Sequence, residues 1–508
     1  MAIALDPGNL KNSRVSILIP LAGLLALGAA QLCIGASPLV VALGVAGVLV
    51  SFIPLHLYGG EPYSFFALIF SVRYLLVGMI LKTLYWQPLD THLFNAADSY
   101  AATALLVTVT TLVVLIARKF DPKRDFLPFP TDPASLRRLA MATFSIGLVA
   151  LLIIGSKSKS DGGGGNAGPL FVAAAAISGM AVLSLSAEAM RAVQLSNGKS
   201  LISPMLACML GMLFLIVVMM NQRGFLLDCI IAVALVGFVY RAISAKLIVA
   251  GLIFVVFFSS FLSPLTLYLR SQKELPPAAF ADVAMSTMGR MVVDSTFRKV
   301  LVDNVTLQKT LEDPDDADYD YFGDRSNIGN RLSFVALVDA VINGMRTREW
   351  IGYPVVEKSV SQVMPGFLGF QKEAVSTGDW LGWRVGMLTY PKTTYMVFGM
   401  PSEGYVAWGP LGLVLYPMIF LLLALLAIAR FCSLRRATPV AIFLIATLQT
   451  EFAEGTSDGF LNIILRGLPV IFVVLLAIYA IMFGGKQRRS RLQRARPSAH
   501  VTTSSVQI

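Results

Sequence analysis

Histidine and cysteine are scarce. The three histidines, His56, His92 and His500, stand far apart, and the four cysteines, Cys33, Cys208, Cys229 and Cys432, lie in or beside apolar segments with no CxxC pair. This pattern argues against a Cys/His zinc site and against a disulfide framework in the polar part of the chain. Neither a metal nor a cofactor is expected. Charge is scarce too: 14% of the 508 residues are charged, whereas 56% are hydrophobic. Soluble proteins carry about a quarter charged residues. With a mean hydropathy of +0.71, the expected fold class is an all-α polytopic membrane protein, a helix bundle solvated by lipid. A cleavable leader is not recognisable, because the first apolar segment is long enough to span.

A crossing helix needs about 20 apolar residues. Candidate spans lie near 15–35, 38–57, 64–84, 101–117, 137–155, 168–187, 201–220, 224–240, 246–262, 404–428, 438–455 and 460–483, which makes about twelve by the same criterion. The chain thus divides into membrane helices over 1–261, a polar insert over 262–403, further membrane helices over 404–483 and a basic tail over 484–508. No internal repeat is visible, and Gly162–Gly165 reads as a flexible loop.

The net charge of +11 is concentrated in short loops and the tail KQRRSRLQRARP. Such charges mark topology and anionic lipid before nucleic acid, which is not expected as a partner. Arg118, Lys119, Lys123, Arg124, Arg191, Lys199, Arg241, Lys246, Arg430, Arg435 and Arg436 fall on one side if both termini are cytoplasmic. Lys157 and Lys159 dissent. The insert then faces away from the cytoplasm.

Within the insert, VVDSTFRKVLVDNVTLQKTL and RLSFVALVDAVINGM have helical spacing. EDPDDADYDYFGDRSNIG is acidic and turn-rich, without the ligand and glycine spacing of a calcium loop.

Charges in or beside spans are costly and usually face a cavity or a partner. Arg73 is mid-span, where a buried ion pair or a ligand contact would hold it. Arg223 stands in the turn NQRG between two spans, with Asp228 beyond. Glu451, Glu454 and Arg466 lie near the same membrane face as Glu403. Arg466 pairing with Glu451 or Glu454 is one reading of these; a shared pocket is the other. Clustered arginines suit a diphosphate, whose oxygens match the guanidinium fork. Arg325 and Arg331 are further members of such a clamp. Trp350, Trp380, Trp383 and Trp408, with Tyr390, Tyr395 and Tyr405, offer faces for sugars, although interfacial belting explains aromatics equally well.

Three stretches carry a family resemblance over roughly 200–430: NQRGFLLDCII ahead of the insert, NRLSFVALVDAVINGMRTREWIGYPVVEKSVSQVMPGFLGFQK within it, and PSEGYVAWGPLGLVLYPMI at its exit. In this order they resemble the Wzy-type O-antigen and oligosaccharide repeat-unit polymerases, relatives of the O-antigen ligases. The resemblance implies a GT-C-type glycosyltransferase of the bacterial inner membrane. It would join undecaprenyl-diphosphate-linked repeat units at the periplasmic face without a metal, and it implies a chain-length-regulating co-polymerase as a partner.

Carried over by motif, Arg223 and Arg331 hold the diphosphate. Glu403 is the expected base or, equally, a helix cap. Tyr405 shapes the acceptor side. Arg325 and Arg466 match less closely, and Arg73, Trp408 and Tyr395 complete the expected substrate contacts. The ligase relatives use a histidine in the large loop, and this insert has none. A ligase, and a lipid-linked oligosaccharide transporter, are the competing readings; the first would move glycan to a lipid A core, the second would move substrate without making a bond.

Overall fold

The structure is a computed structural model and describes residues 18–494, except 123, 130, 157–168, 221–222, most of 245–276, 302–320, 324–332, 365–369, 371–374 and 392–397. The described residues form helices and connecting turns, with no strand among them. Seven helices are long and apolar enough to cross a membrane: α2 Pro38–Tyr58, α3 Pro62–Leu84, α4 Ala96–Phe120, α5 Pro133–Gly155, α6 Ala173–Leu195, α14 Pro410–Phe431 and α16 Ser457–Met482. Shorter apolar helices accompany them: α1 Leu18–Ile34, α7 Pro204–Met220, α8 Arg223–Val239 and α15 Pro439–Glu454. The insert contributes α9 Pro277–Val293, α10 Val335–Met345, α11 Tyr353–Val363, α12 Thr377–Val385 and α13 Met400–Trp408.

Helix α15 is the axis of the bundle. It is buried on every side over Pro439–Ala446, and it packs against α3, α6 and α8. A helix apolar all round has no face to give to water, so its position follows from its composition. Its start is set by Thr438, whose hydroxyl accepts from the amide of Ala441 at 3.1 Å, with Pro439 following as the first helical residue.

The ends of the spans gather on two faces. On one, Arg118 at the end of α4 pairs with Glu61 before α3 at 2.6 Å, and Asp121 accepts from the Ser433 hydroxyl at 2.7 Å and the Leu434 amide at 2.9 Å. The insert closes on the other face. There Tyr321 donates to the Leu89 carbonyl at 2.9 Å and exchanges a hydrogen bond with Tyr100 at 2.9 Å. The ammonium of Lys82 lies 4.4 Å from the Tyr321 ring centroid. Asp339 of α10 caps α4 from outside, accepting from the amides of Phe94 at 2.7 Å and Asn95 at 2.8 Å and from the Ser99 hydroxyl at 2.7 Å. A carboxylate at a helix N-terminus satisfies orphan amides and meets the positive end of the dipole.

Two expected elements differ in extent. The span expected near 404–428 begins at Pro410, because Gly409 takes φ +60° and Pro410 starts a new helix after it. Residues 400–408 form the separate helix α13. The helix expected over 292–311 breaks at Asp294. Its carboxylate accepts from the amides of Thr296 at 2.9 Å and Phe297 at 3.0 Å and so caps a second helical run over 295–301. The acidic loop at 312–329 lies outside the described residues except for 321–323.

Candidate functional site

The turn Glu454-Gly455-Thr456-Ser457 joins α15 to α16, and parts of the insert converge on it. Arg73 occupies a π-turn of α3 at Val72–Leu76. Such a turn displaces the backbone ladder, and the Arg73 carbonyl accepts from the Phe334 amide of the insert at 3.3 Å. The residue is 8% exposed. It forms an ion pair with Glu454, and its guanidinium lies 4.8 Å from the Phe334 ring centroid. Its Nη1 is buried with no hydrogen-bond partner among the described residues. Beside it, Tyr74 donates to the Ala453 carbonyl at 3.1 Å and stacks on Phe334 at 5.2 Å.

The exit of the insert meets the same turn. Gly399 donates its amide to the Glu454 carbonyl at 3.2 Å. It takes φ +71°, and a Cβ there would stand 2.6 Å from the Ala453 carbonyl oxygen. Only glycine tolerates both the conformation and the approach. One turn on, Glu403 is fully buried. Its carboxylate accepts from the Ser457 amide at 2.6 Å, from the Ser457 hydroxyl, and from the Ser359 hydroxyl of α11 at 3.1 Å. It therefore caps α16 and ties α11 and α13 to it. Burial pushes the carboxyl up to about 7, with the Ser457 and Ser359 hydrogen bonds pulling the other way.

Two more acids border the turn. Glu451 places a carboxylate oxygen where a Cβ on Gly455 would be 2.7 Å away. Asp228 of α8 lies within electrostatic range of Glu451, Glu454 and Arg73, and its Oδ1 is buried without a hydrogen-bond partner among the described residues. The Arg73 guanidinium thus pairs with Glu454 and has Asp228 within electrostatic range.

The remaining expected site residues are distributed around this turn. Arg466 lies in a π-turn of α16 and donates to the Val363 carbonyl, the last residue of α11. Among the described residues it makes no ion pair with Glu451 or Glu454; Arg73 takes Glu454 instead. Tyr405 and Trp408 pack on other aromatics: Tyr405 meets Trp350 edge-on at 5.3 Å, and Trp408 lies 5.7 Å from Tyr416. Arg223 is the first residue of α8, the helix that carries Asp228 into the cluster; its side chain is not among those described. Arg325, Arg331 and Tyr395 lie outside the described residues.

Ser359 and Ser457 hold Glu403 without any signal in the sequence, since lone serines in polar stretches are common. Arg346 and Arg348 follow α10. Arg346 reaches Asp98 of α4 at 2.9 Å, with both side chains more than half exposed, and Arg348 packs on Gly386. Arg384 and Lys358 flank Trp380, at 5.5 and 5.9 Å from its ring centroid. Their closeness to aromatics at one face had only composition to announce it. Among known proteins, no family model, no curated protein and no solved structure matches this chain.

Proposed function

We propose that the chain is a polysaccharide polymerase of the bacterial inner membrane, with about twelve spans and GT-C-type architecture. It joins polyprenyl-diphosphate-linked repeat units on the extracytoplasmic side. The observation that carries the reading is Arg73. It is buried at the junction of spans and insert, has one arm on Glu454, and has an Nη1 with no partner among the described residues. A lipid-linked diphosphate keeps its tail in the bilayer and its charge at that junction.

Arg73 and Arg223 grip the diphosphate, with Arg325, Arg331 and Arg466 as further members of the clamp. Guanidinium groups meet the charge that grows on the leaving oxygen as the glycosidic bond breaks; fixed donors in a dry site are worth far more than in water. Glu403 takes the proton of the acceptor hydroxyl. Burial holds its carboxyl at about 7, in the range a general base needs, and Ser359 and Ser457 would release it as the acceptor binds. Tyr405, Trp408 and Tyr395 bear on the sugars.

The test is polymerisation of lipid-linked repeat units by purified protein, read as a ladder on a gel. Arg223→Ala should remove the ladder at unchanged protein level. An undiminished ladder would refute the assignment; transfer to a lipid A core would make the chain a ligase, and transport across liposomes without bond formation a carrier.

A further inference from the structure

We infer that the groove between residues 126–129 and α16, on the face opposite the insert, binds an anionic phospholipid, with a few methylenes of one acyl chain in the groove and its headgroup on Arg430 and Arg436. The groove is lined by Leu127, Phe129, Leu444, Leu468, Ile471 and Leu475. Phe472 forms its wall, 5.4 Å from the ring of Phe126 and 4.8 Å from that of Phe431. It starts beside Phe431 at the end of α14 and runs inward along α16, where Leu475 to Leu468 alone cover about 10 Å of helix. Its neighbours Val473 and Leu476 are 63% and 43% exposed, and α16 is the least buried of the seven long spans. Of the lining, Leu127, Phe129, Phe431 and Phe472 are only half-buried, so the groove is open along that side.

Charge selects the headgroup. Arg430 is exposed in the last turn of α14, next to Phe431 of the lining. The Arg436 side chain is 60% exposed, with Asp125 3.8 Å away. The acids nearby are already engaged. Asp125 accepts from the Ser433 amide at 2.9 Å, and Asp121 holds Ser433 and Leu434. Arg124 is exposed on the same loop, and Arg435 is turned inward to the Arg118 carbonyl. The helix that lines the groove also continues to Arg494, through Lys486, Arg488, Arg489 and Arg491. Basic groups at the mouth of a groove between spans match a phosphate without a compensating amine. A zwitterionic lipid would set its own cation against them.

The experiment is native mass spectrometry of the full chain titrated with phosphatidylglycerol and, separately, phosphatidylcholine of the same acyl length. Phosphatidylglycerol should bind at least five-fold more tightly. Arg430→Gln with Arg436→Gln should abolish that preference, whereas Arg346→Gln, exposed on the insert's face, should keep it. Leu475→Trp, which fills the groove, should weaken both lipids. A preference below five-fold in the wild type, its survival in the double variant, or unchanged binding by Leu475→Trp would each overturn the assignment. None of these readouts depends on polymerase activity.

Discussion

Asp339 caps a helix to which it does not belong. Its carboxylate reaches the Asn95 amide at 2.8 Å, across 244 residues of chain, and so latches the insert onto the start of the α4 span. The latch joins the insert to a long apolar helix, and it fixes where the insert can close.

Asp339→Ala should therefore loosen the insert before it harms the bundle. Three donors lose one buried acceptor, and a lost cap with stranded buried donors costs about 1–3 kcal/mol. The expected outcome is a lower melting temperature in detergent and faster proteolysis of the insert, with Asp339→Asn in between.

The Arg73–Glu454 pair separates support from function. Removing one partner of a buried pair costs about 3–5 kcal/mol, while replacing both with apolar residues is often neutral. Arg73→Met should melt well below the wild type, and Arg73→Met with Glu454→Met should recover most of the loss. The double variant should remain unable to polymerise, because the guanidinium proposed for the diphosphate is gone. Restored ladders in the double variant would reduce Arg73 to a brace.

Glu403 predicts a pH dependence. Its carboxyl is raised from 4.5 to about 7 in the folded chain, so between those values the folded state holds more protons than the unfolded one. Stability then falls as pH rises through that window and levels off above about 7, by about 3 kcal/mol from this group at most. Melting temperatures from pH 5 to 8 should decline more steeply for the wild type than for Glu403→Gln, which has no proton to lose. Equal slopes would remove the buried carboxyl as the cause.

Gly399→Ala should be destabilising even though it adds one methyl group. The backbone takes φ +71°, and the new Cβ would be 2.6 Å from the Ala453 carbonyl oxygen. The backbone term alone costs about 1 kcal/mol, and the contact adds to it. Gly224→Ala, with nothing within 4 Å of its Cβ, is the control that should leave the melting temperature nearly unchanged.

The membrane character was legible from composition, because lipid tolerates so few charges that their scarcity is itself a signal. The long spans were legible as apolar runs near 64–84 and 137–155, and the helices start a few residues earlier, at Pro62 and Pro133. Their limits were less so. The break before Pro410 depends on Gly409 adopting φ +60°, where a Cβ would also stand 2.8 Å from the Trp350 ring. That Arg73 needed a partner could be read from its place in an apolar run; that the partner is Glu454, 381 residues away, could not.

The chain's residue order alone determined that helices cross a bilayer and that a polar insert stands between them, because the free energy of placing each side chain in lipid or water is local to that side chain. Only the folded chain decided which acid meets Arg73, which serines hold Glu403 and which span Asp339 caps. Those pairings depend on distances between segments far apart along the chain. Such distances come from the packing of every helix at once.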